Sequence, residues 1–184
     1  MPTADTKKLI ILDRDGVINE DSDCYIKSLE EWKPYPKAID AIARLTKQGW
    51  TIAIATNQSG IARGYFTEHT LSQIHEAMRC QVESAGGHIA QIAYCPHGPQ
   101  DGCSCRKPQP GLLEQIRCSL GMENLHAAWL VGDSLRDIQA GAAMGCQLVL
   151  VRTGKGMIAQ EKELPTGTQV YDDLEKFANF LLSA

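Results

Sequence analysis

The chain has 184 residues, 43% of them apolar, which suits a single domain with a substantial core. With 18 Lys and Arg against 22 Asp and Glu its formal charge is −4, so nucleic-acid binding by bulk positive charge is excluded. The apolar runs, Leu9–Leu12 and 148–151 among them, are no longer than five residues, far below the roughly 18 needed to span a bilayer. The same shortness leaves no signal-peptide core after the first eight residues. A cytoplasmic protein with no membrane partner is expected.

Short β-rich runs alternate with amphipathic helical stretches, without internal repeats or a low-complexity linker, and this order predicts one α/β domain over residues 1–184. Leu9–Leu12 reads as a buried parallel strand. After an irregular stretch from 19 to 34, a helix starts near Pro36, presents Ile39, Ile42 and Leu45, and stops at Gly49. Residues 51–55 form the second strand, and Thr67 caps a helix carrying Leu71, Ile74, Met78 and Val82 up to Gly86-Gly87. A third strand over 88–94 is followed by a helix from Pro110 to Gly121. Strand four over 128–131, a helix over 135–144, strand five at Gln147–Val151, a short strand at Gln169–Tyr171 and a helix over 174–182 complete the series. About twenty residues separate Asp15 from Pro36, and 56 to 95 holds one helix and one strand, so no separate cap domain fits.

Parallel strands gather reactive groups at their carboxyl ends, where four polar clusters fall. These are Asp13-Arg14-Asp15-Gly16, Thr56-Asn57, Arg106-Lys107 and Gly132-Asp133-Ser134. Two aspartates one residue apart face the same way past a strand, and a hard cation would offset their repulsion. With Asp133 as a third carboxylate the set suits Mg²⁺. Thr56 offers a hydroxyl and Lys107 a mobile ammonium, both suited to holding a phosphoryl group. Taken singly, each has a plain explanation: an Asp-rich turn, a strand-end hydroxyl, an exposed lysine, a helix cap at Asp133 and a surface charge at Asp137. Their joint occurrence in chain order favours a site.

Seven cysteines are an odd number, and a reducing compartment disfavours disulfides. Cys95, His97, Cys103 and Cys105 offer three thiolates and an imidazole among Pro96, Gly98, Pro99 and Gly102, the donor set of a closed structural Zn²⁺ site. The competing explanation is ordinary buried thiols beside a surface histidine. Cys24, Cys80, Cys118 and Cys146 are expected to be small buried hydrophobes. His69, His75, His88 and His126 are assigned to surface or packing roles, as are Trp32, Trp50 and Trp129 to packing, and the 152–156 segment to a turn.

The four clusters resemble the motifs of the haloacid-dehalogenase-like phosphatases, over about residues 9 to 151. Within that superfamily, 13–19, 56–64, 95–97 and 103–108 are similar to the capless, zinc-loop members that dephosphorylate heptose bisphosphates and histidinol phosphate. The resemblance implies a doubly wound Rossmann-like sheet and a Mg²⁺-dependent phosphoric monoester hydrolase in nucleotide-heptose supply for lipopolysaccharide. The implied reaction removes the 7-phosphate of D-glycero-D-manno-heptose 1,7-bisphosphate, with 59–64 favouring it over histidinol phosphate. A catalytically silent zinc-dependent binding module is the further alternative. Asp13 is implied as the nucleophile and Asp15 as general acid and base. Mg²⁺ is implied at Asp13, the Asp15 backbone carbonyl and Asp133. Thr56 and Lys107 would stabilise the phosphoryl group, and Asn57, Gln58, Ser59, Arg106 and Ser134 would bind substrate. Zn²⁺ at Cys95, His97, Cys103 and Cys105 would position the segment running into Arg106-Lys107. A monomer is expected, with a small sugar phosphate as its partner.

Overall fold

The structure is a computed structural model that describes residues 8–183; the signal-peptide expectation at the amino terminus lies largely outside the described residues. Six strands, β1 (Leu9–Leu12), β2 (Thr51–Asn57), β3 (Gln91–Cys95), β4 (Trp129–Gly132), β5 (Gln147–Val151) and β6 (Gln169–Tyr171), form one sheet in the order β3-β2-β1-β4-β5-β6. Every pairing is parallel. The helices are α1 (Pro36–Lys47), α2 (Glu68–Ser84), α3 (Gly111–Ser119), α4 (Leu135–Ala143), α5 (Gly156–Ala159) and α6 (Leu174–Ser183).

Alternation along the strands splits the apolar residues between two cores, because successive side chains leave opposite faces of a sheet. Ile10, Leu12, Ile52, Ile54, Val131 and Val149 pack against α1, α2 and α6. Leu9, Ile11, Ala53, Ala55, Leu130 and Leu148 pack against α3 and α4. Both faces are therefore covered, as the unbroken apolar strands require.

The observed bounds depart from the expected ones where backbone pairing outruns apolar pattern. β2 extends to Asn57 because Thr56 and Asn57 pair with Tyr94 and Cys95, so the ladder continues into polar residues. β3 starts at Gln91, not at 88, since its register with β2 begins at Ala53↔Gln91. Pro110 is the cap of α3 and not its first residue. The turn expected over 152–156 leads into the short helix α5. The expected burial of the scattered cysteines holds for Cys146 alone; Cys24, Cys80 and Cys118 are exposed. Cys80 and Cys118 lie on the outer faces of α2 and α3, each within reach of a glutamate one turn back. No helix among the described residues is long and apolar enough to cross a membrane.

Candidate active site

The strand order reverses direction at β1, which lies between β2 and β4, and a crevice opens at such a point beyond the carboxyl ends. Asp13 extends β1 by donating its N–H to Val131 O (2.9 Å). The chain then turns sharply: Arg14 O accepts the N–H groups of Val17, Ile18 and Asn19 (3.3, 2.8 and 3.3 Å), and Gly16 sits at φ +85°. A Cβ at Gly16 would overlap Asp133 Oδ2, so glycine here permits both the turn and the close approach of two strand ends.

Lys107 is the centre of the charge arrangement. The expected mobile ammonium is instead 2% exposed and fixed, with Nζ 3.0 Å from Asp13 Oδ1, 2.7 Å from Asp137 Oδ1 and 2.6 Å from Ala55 O. Its three donors are thereby matched by three acceptors. Burial opposes its charge, but the carboxylates of Asp13 and Asp137 outweigh it and raise its pKa. The Asn57 side chain holds the Lys107 backbone at both ends, accepting its N–H (3.0 Å) and donating to its carbonyl (3.1 Å).

Asp137, expected as a surface charge, is 2% exposed and belongs to the site. Its Oδ2 accepts the N–H and hydroxyl of Ser134 (3.0 and 2.7 Å), closing the first turn of α4, and its Oδ1 faces Lys107. The Ser-x-x-Asp spacing at 134–137 was the available signal, since a capping partner three residues on is turned toward the helix start. Carboxylate oxygens of Asp13, Asp133 and Asp137 converge within 4.8 Å. Three carboxylates share the site with one ammonium, and the two remaining negative charges match one divalent cation. Asp133 is held for that task by the Lys155 N–H (2.8 Å). Oxygen donors of this kind suit a hard cation.

Burial, then the charge of Asp137, lifts the Asp13 carboxyl to about 7 against the pull of Lys107. Burial, then Asp137 and Asp13, lifts Asp133 to about 8. Without a divalent cation these groups keep protons that the unfolded chain, titrating near 3.8, has lost. The resulting stabilisation is complete below that value and disappears as pH rises to about 8. Chelated protein should therefore lose thermal stability between about pH 4 and pH 8, and added Mg²⁺ should raise Tm more at about pH 8 than at about pH 6. Equal shifts in thermal melts at the two pH values would place the cation elsewhere.

The Asp15 side chain is not part of this acidic trio. Its two oxygens accept from Arg14, Asn19 and Gln58. Burial alone would raise its pKa, but the Arg14 charge and these bonds hold it below the usual carboxylate range. Thr56, 1% exposed, accepts from Gln58 Nε2 (2.8 Å), the same nitrogen that reaches Asp15 Oδ2 (3.0 Å). A pocket of about 300 Å³ joins all the sequence-predicted residues of the phosphoryl site: Asp13, Asp15, Thr56, Asn57, Gln58, Ser59, Arg106, Lys107, Asp133 and Ser134. Its wall also includes Asp21, Asp23, Tyr25, Arg63, Arg136 and Lys155, none of which the sequence reading singled out as a site residue. Arg106 and Lys107 diverge as expected of neighbours on an extended segment: Lys107 enters the site and Arg106 Nη1 donates to His97 O (3.3 Å) while lining the pocket.

The second cluster lies in the loop between β3 and α3. Cys95 Sγ is 3.1 Å from Cys105 Sγ and 3.7 Å from Cys103 Sγ, and His97 Nδ1 is 3.3 Å from Cys105 Sγ and 3.6 Å from Cys95 Sγ. Donors about 2.0–2.3 Å from a tetrahedral ion stand at separations of this order. All four converge within 4.8 Å, so the residues fit Zn²⁺ held by Cys95, His97, Cys103 and Cys105. Protein purified without chelator should carry about one zinc per chain, and elemental analysis finding none would remove the assignment.

A parallel sheet that reverses at β1, an Asp-x-Asp turn beyond that strand and a buried lysine facing Asp13 and Asp137 of α4 define a haloacid-dehalogenase-like hydrolase. The family described as HAD-hydrolase-like matches residues 104–177. The D-glycero-beta-D-manno-heptose-1,7-bisphosphate 7-phosphatase of Pseudomonas aeruginosa is 55% identical over 177 residues, covering 96% of this chain and 99% of that one. Its namesake from Neisseria meningitidis serogroup A is 51% identical, covering 95% of each. Among solved structures, the D,D-heptose 1,7-bisphosphate phosphatase of Bordetella bronchiseptica complexed with magnesium and phosphate matches with a TM-score of 0.92 at 49% identity, covering 96% of this chain and 98% of that one. The chain belongs to the D-glycero-beta-D-manno-heptose-1,7-bisphosphate 7-phosphatase family.

Proposed function

We propose that this protein is a phosphatase that removes the C7 phosphate of D-glycero-beta-D-manno-heptose 1,7-bisphosphate, with the phosphoryl group carried in transit on Asp13. The observation that carries the proposal is the meeting of Asp13, Lys107 and Asp133 at the sheet's reversal point. Mg²⁺ is the cofactor; Asp13, Asp133 and the Asp15 backbone carbonyl would hold it, and when bound it would neutralise charge on the phosphoryl oxygens.

The Asp13 carboxylate attacks phosphorus and the bond from phosphorus to the C7 oxygen breaks. The bound phosphate dianion opposes the Asp15 charge that the free site favours, so Asp15 gives that oxygen a proton and no free alkoxide is expelled. Asp15 then takes a proton from the water that attacks the phosphorylated Asp13, which releases inorganic phosphate and restores the carboxylate. Lys107 supplies a fixed positive charge where negative charge develops, and Thr56 adds a hydroxyl donor. Arg106, Ser59 and Ser134 contact the rest of the substrate. Gln58 and Asn57 border it while holding Asp15 and Lys107. Cys95, His97, Cys103 and Cys105 would hold Zn²⁺, which would fix the loop 95–105. The protein works as one domain, as a monomer, in the cytoplasm.

Phosphate release should be measured on both anomers of the heptose bisphosphate and on histidinol phosphate. The beta anomer is expected to give the highest kcat/KM, with histidinol phosphate lower by at least about tenfold. Faster turnover of histidinol phosphate would overturn the substrate assignment and leave the chemistry in place.

A further inference from the structure

The residue between the two aspartates is buried to 0% exposure, although arginine is among the side chains least often found fully inside. Its guanidinium grips Asp15 through two nitrogens: Nε donates to Oδ1 (2.9 Å), and Nη2 donates to Oδ2 (3.0 Å) while standing 2.8 Å from Oδ1. Asn19 Nδ2 adds a second donor on Oδ1 (2.9 Å) and Gln58 Nε2 a second on Oδ2 (3.0 Å). A planar fork fixes a carboxylate's plane as well as its position, which a lysine ammonium cannot do. The remaining outward nitrogen, Nη1, lies 3.3 Å from Nε2 of His75, a residue of α2 that is 7% exposed. Burial, then the Arg14 charge, lowers the His75 pKa to about 3, so its ring is neutral and Nε2 is the acceptor. The ring packs edge-on against Tyr94 of β3, with centroids 6.1 Å apart.

We propose that Arg14 is a positioning residue that aims the Asp15 carboxyl at the leaving oxygen, and that His75, outside the pocket wall, holds the plane of Arg14. The proposal rests on Asp15 being the acid and base. Misplacing such a group slows departure of a poor leaving group, an alkoxide, far more than departure of a nitrophenolate, which leaves without a proton. Leaving-group sensitivity therefore separates positioning from a merely structural role, which would slow both substrates alike.

The test compares kcat/KM, which reports phosphoryl transfer to Asp13 and not the later hydrolysis common to both substrates, for heptose bisphosphate and for an aryl phosphate with a nitrophenolate leaving group, in Asp15→Asn, Arg14→Lys, His75→Leu and His75→Gln. Arg14→Lys keeps the charge and loses the fork; its heptose kcat/KM should fall about 100-fold and its aryl kcat/KM by less than about fivefold. His75→Leu should lose about tenfold on heptose bisphosphate alone, the loss of one hydrogen bond's worth of orientation. His75→Gln, which can present an acceptor near Nε2, should recover most of it. Equal losses on both substrates in Arg14→Lys and His75→Leu overturn the proposal. If Arg14→Lys does not fold, the two His75 variants decide. Asp15→Asn tells the two levels apart: if it too shows no leaving-group sensitivity, the acid assignment fails first; if it alone shows it, only the positioning role fails.

Discussion

Asp13→Asn is expected to remove turnover, by at least about four orders of magnitude in kcat, while the protein stays folded. The amide is nearly isosteric, and its carbonyl oxygen can still accept from the Arg14 N–H and from Lys107. What disappears is the nucleophile. Stability should move the other way: burial and the Asp137 charge already disfavour ionised Asp13, so a neutral amide there should raise Tm of chelated protein above pH 7. Steady-state kinetics and thermal melts check the two halves. Activity within about tenfold of the parent would exclude a covalent role for Asp13.

The second large effect is expected at Lys107. Lys107→Met leaves Asp13 and Asp137 facing each other without their shared cation, and removing one partner of a buried ion pair costs about 3–5 kcal/mol. Turnover should fall about 10³-fold for heptose and aryl phosphates alike, because the lost charge acts on the phosphoryl group common to both. Adding Asp137→Asn should restore much of the stability and none of the rate. Denaturant melts and kinetics on the single and double variants give the answer. A double variant that regains activity would make Lys107 a structural counter-ion only.

Much of this architecture was legible from the chain. Four-residue apolar runs such as Leu9–Leu12 identify strands buried on both faces, and Thr67 and Gly49 mark helix limits by known capping chemistry. The Asp-x-Asp turn, Lys107 and the Cys95–Cys105 loop were recognisable because their chemistry depends on residue type at fixed spacing. Two kinds of information were not legible. Burial of a charge depends on partners far along the chain, so Lys107 read as mobile and Asp137 as exposed, although they neutralise one another. Helix surfaces misled in the opposite sense, since Cys80 and Cys118 have apolar character yet face solvent. The contribution of Asn57 was hidden for the same reason: its two bonds to Lys107 span 50 positions.

Asp21, Asp23, Arg63, Arg136 and Lys155 line the pocket but belong to neither apolar core. Folding energy resides in the sheet and its helices, whereas the outer wall of the pocket is drawn from residues whose replacement leaves that packing untouched. Such a division separates two evolutionary pressures. Lineages can exchange wall residues, and with them the sugar or alcohol accepted, while the phosphoryl-transfer apparatus at the strand ends is inherited whole. For protein engineering the same division marks these five positions as sites for combinatorial libraries in which most members still fold.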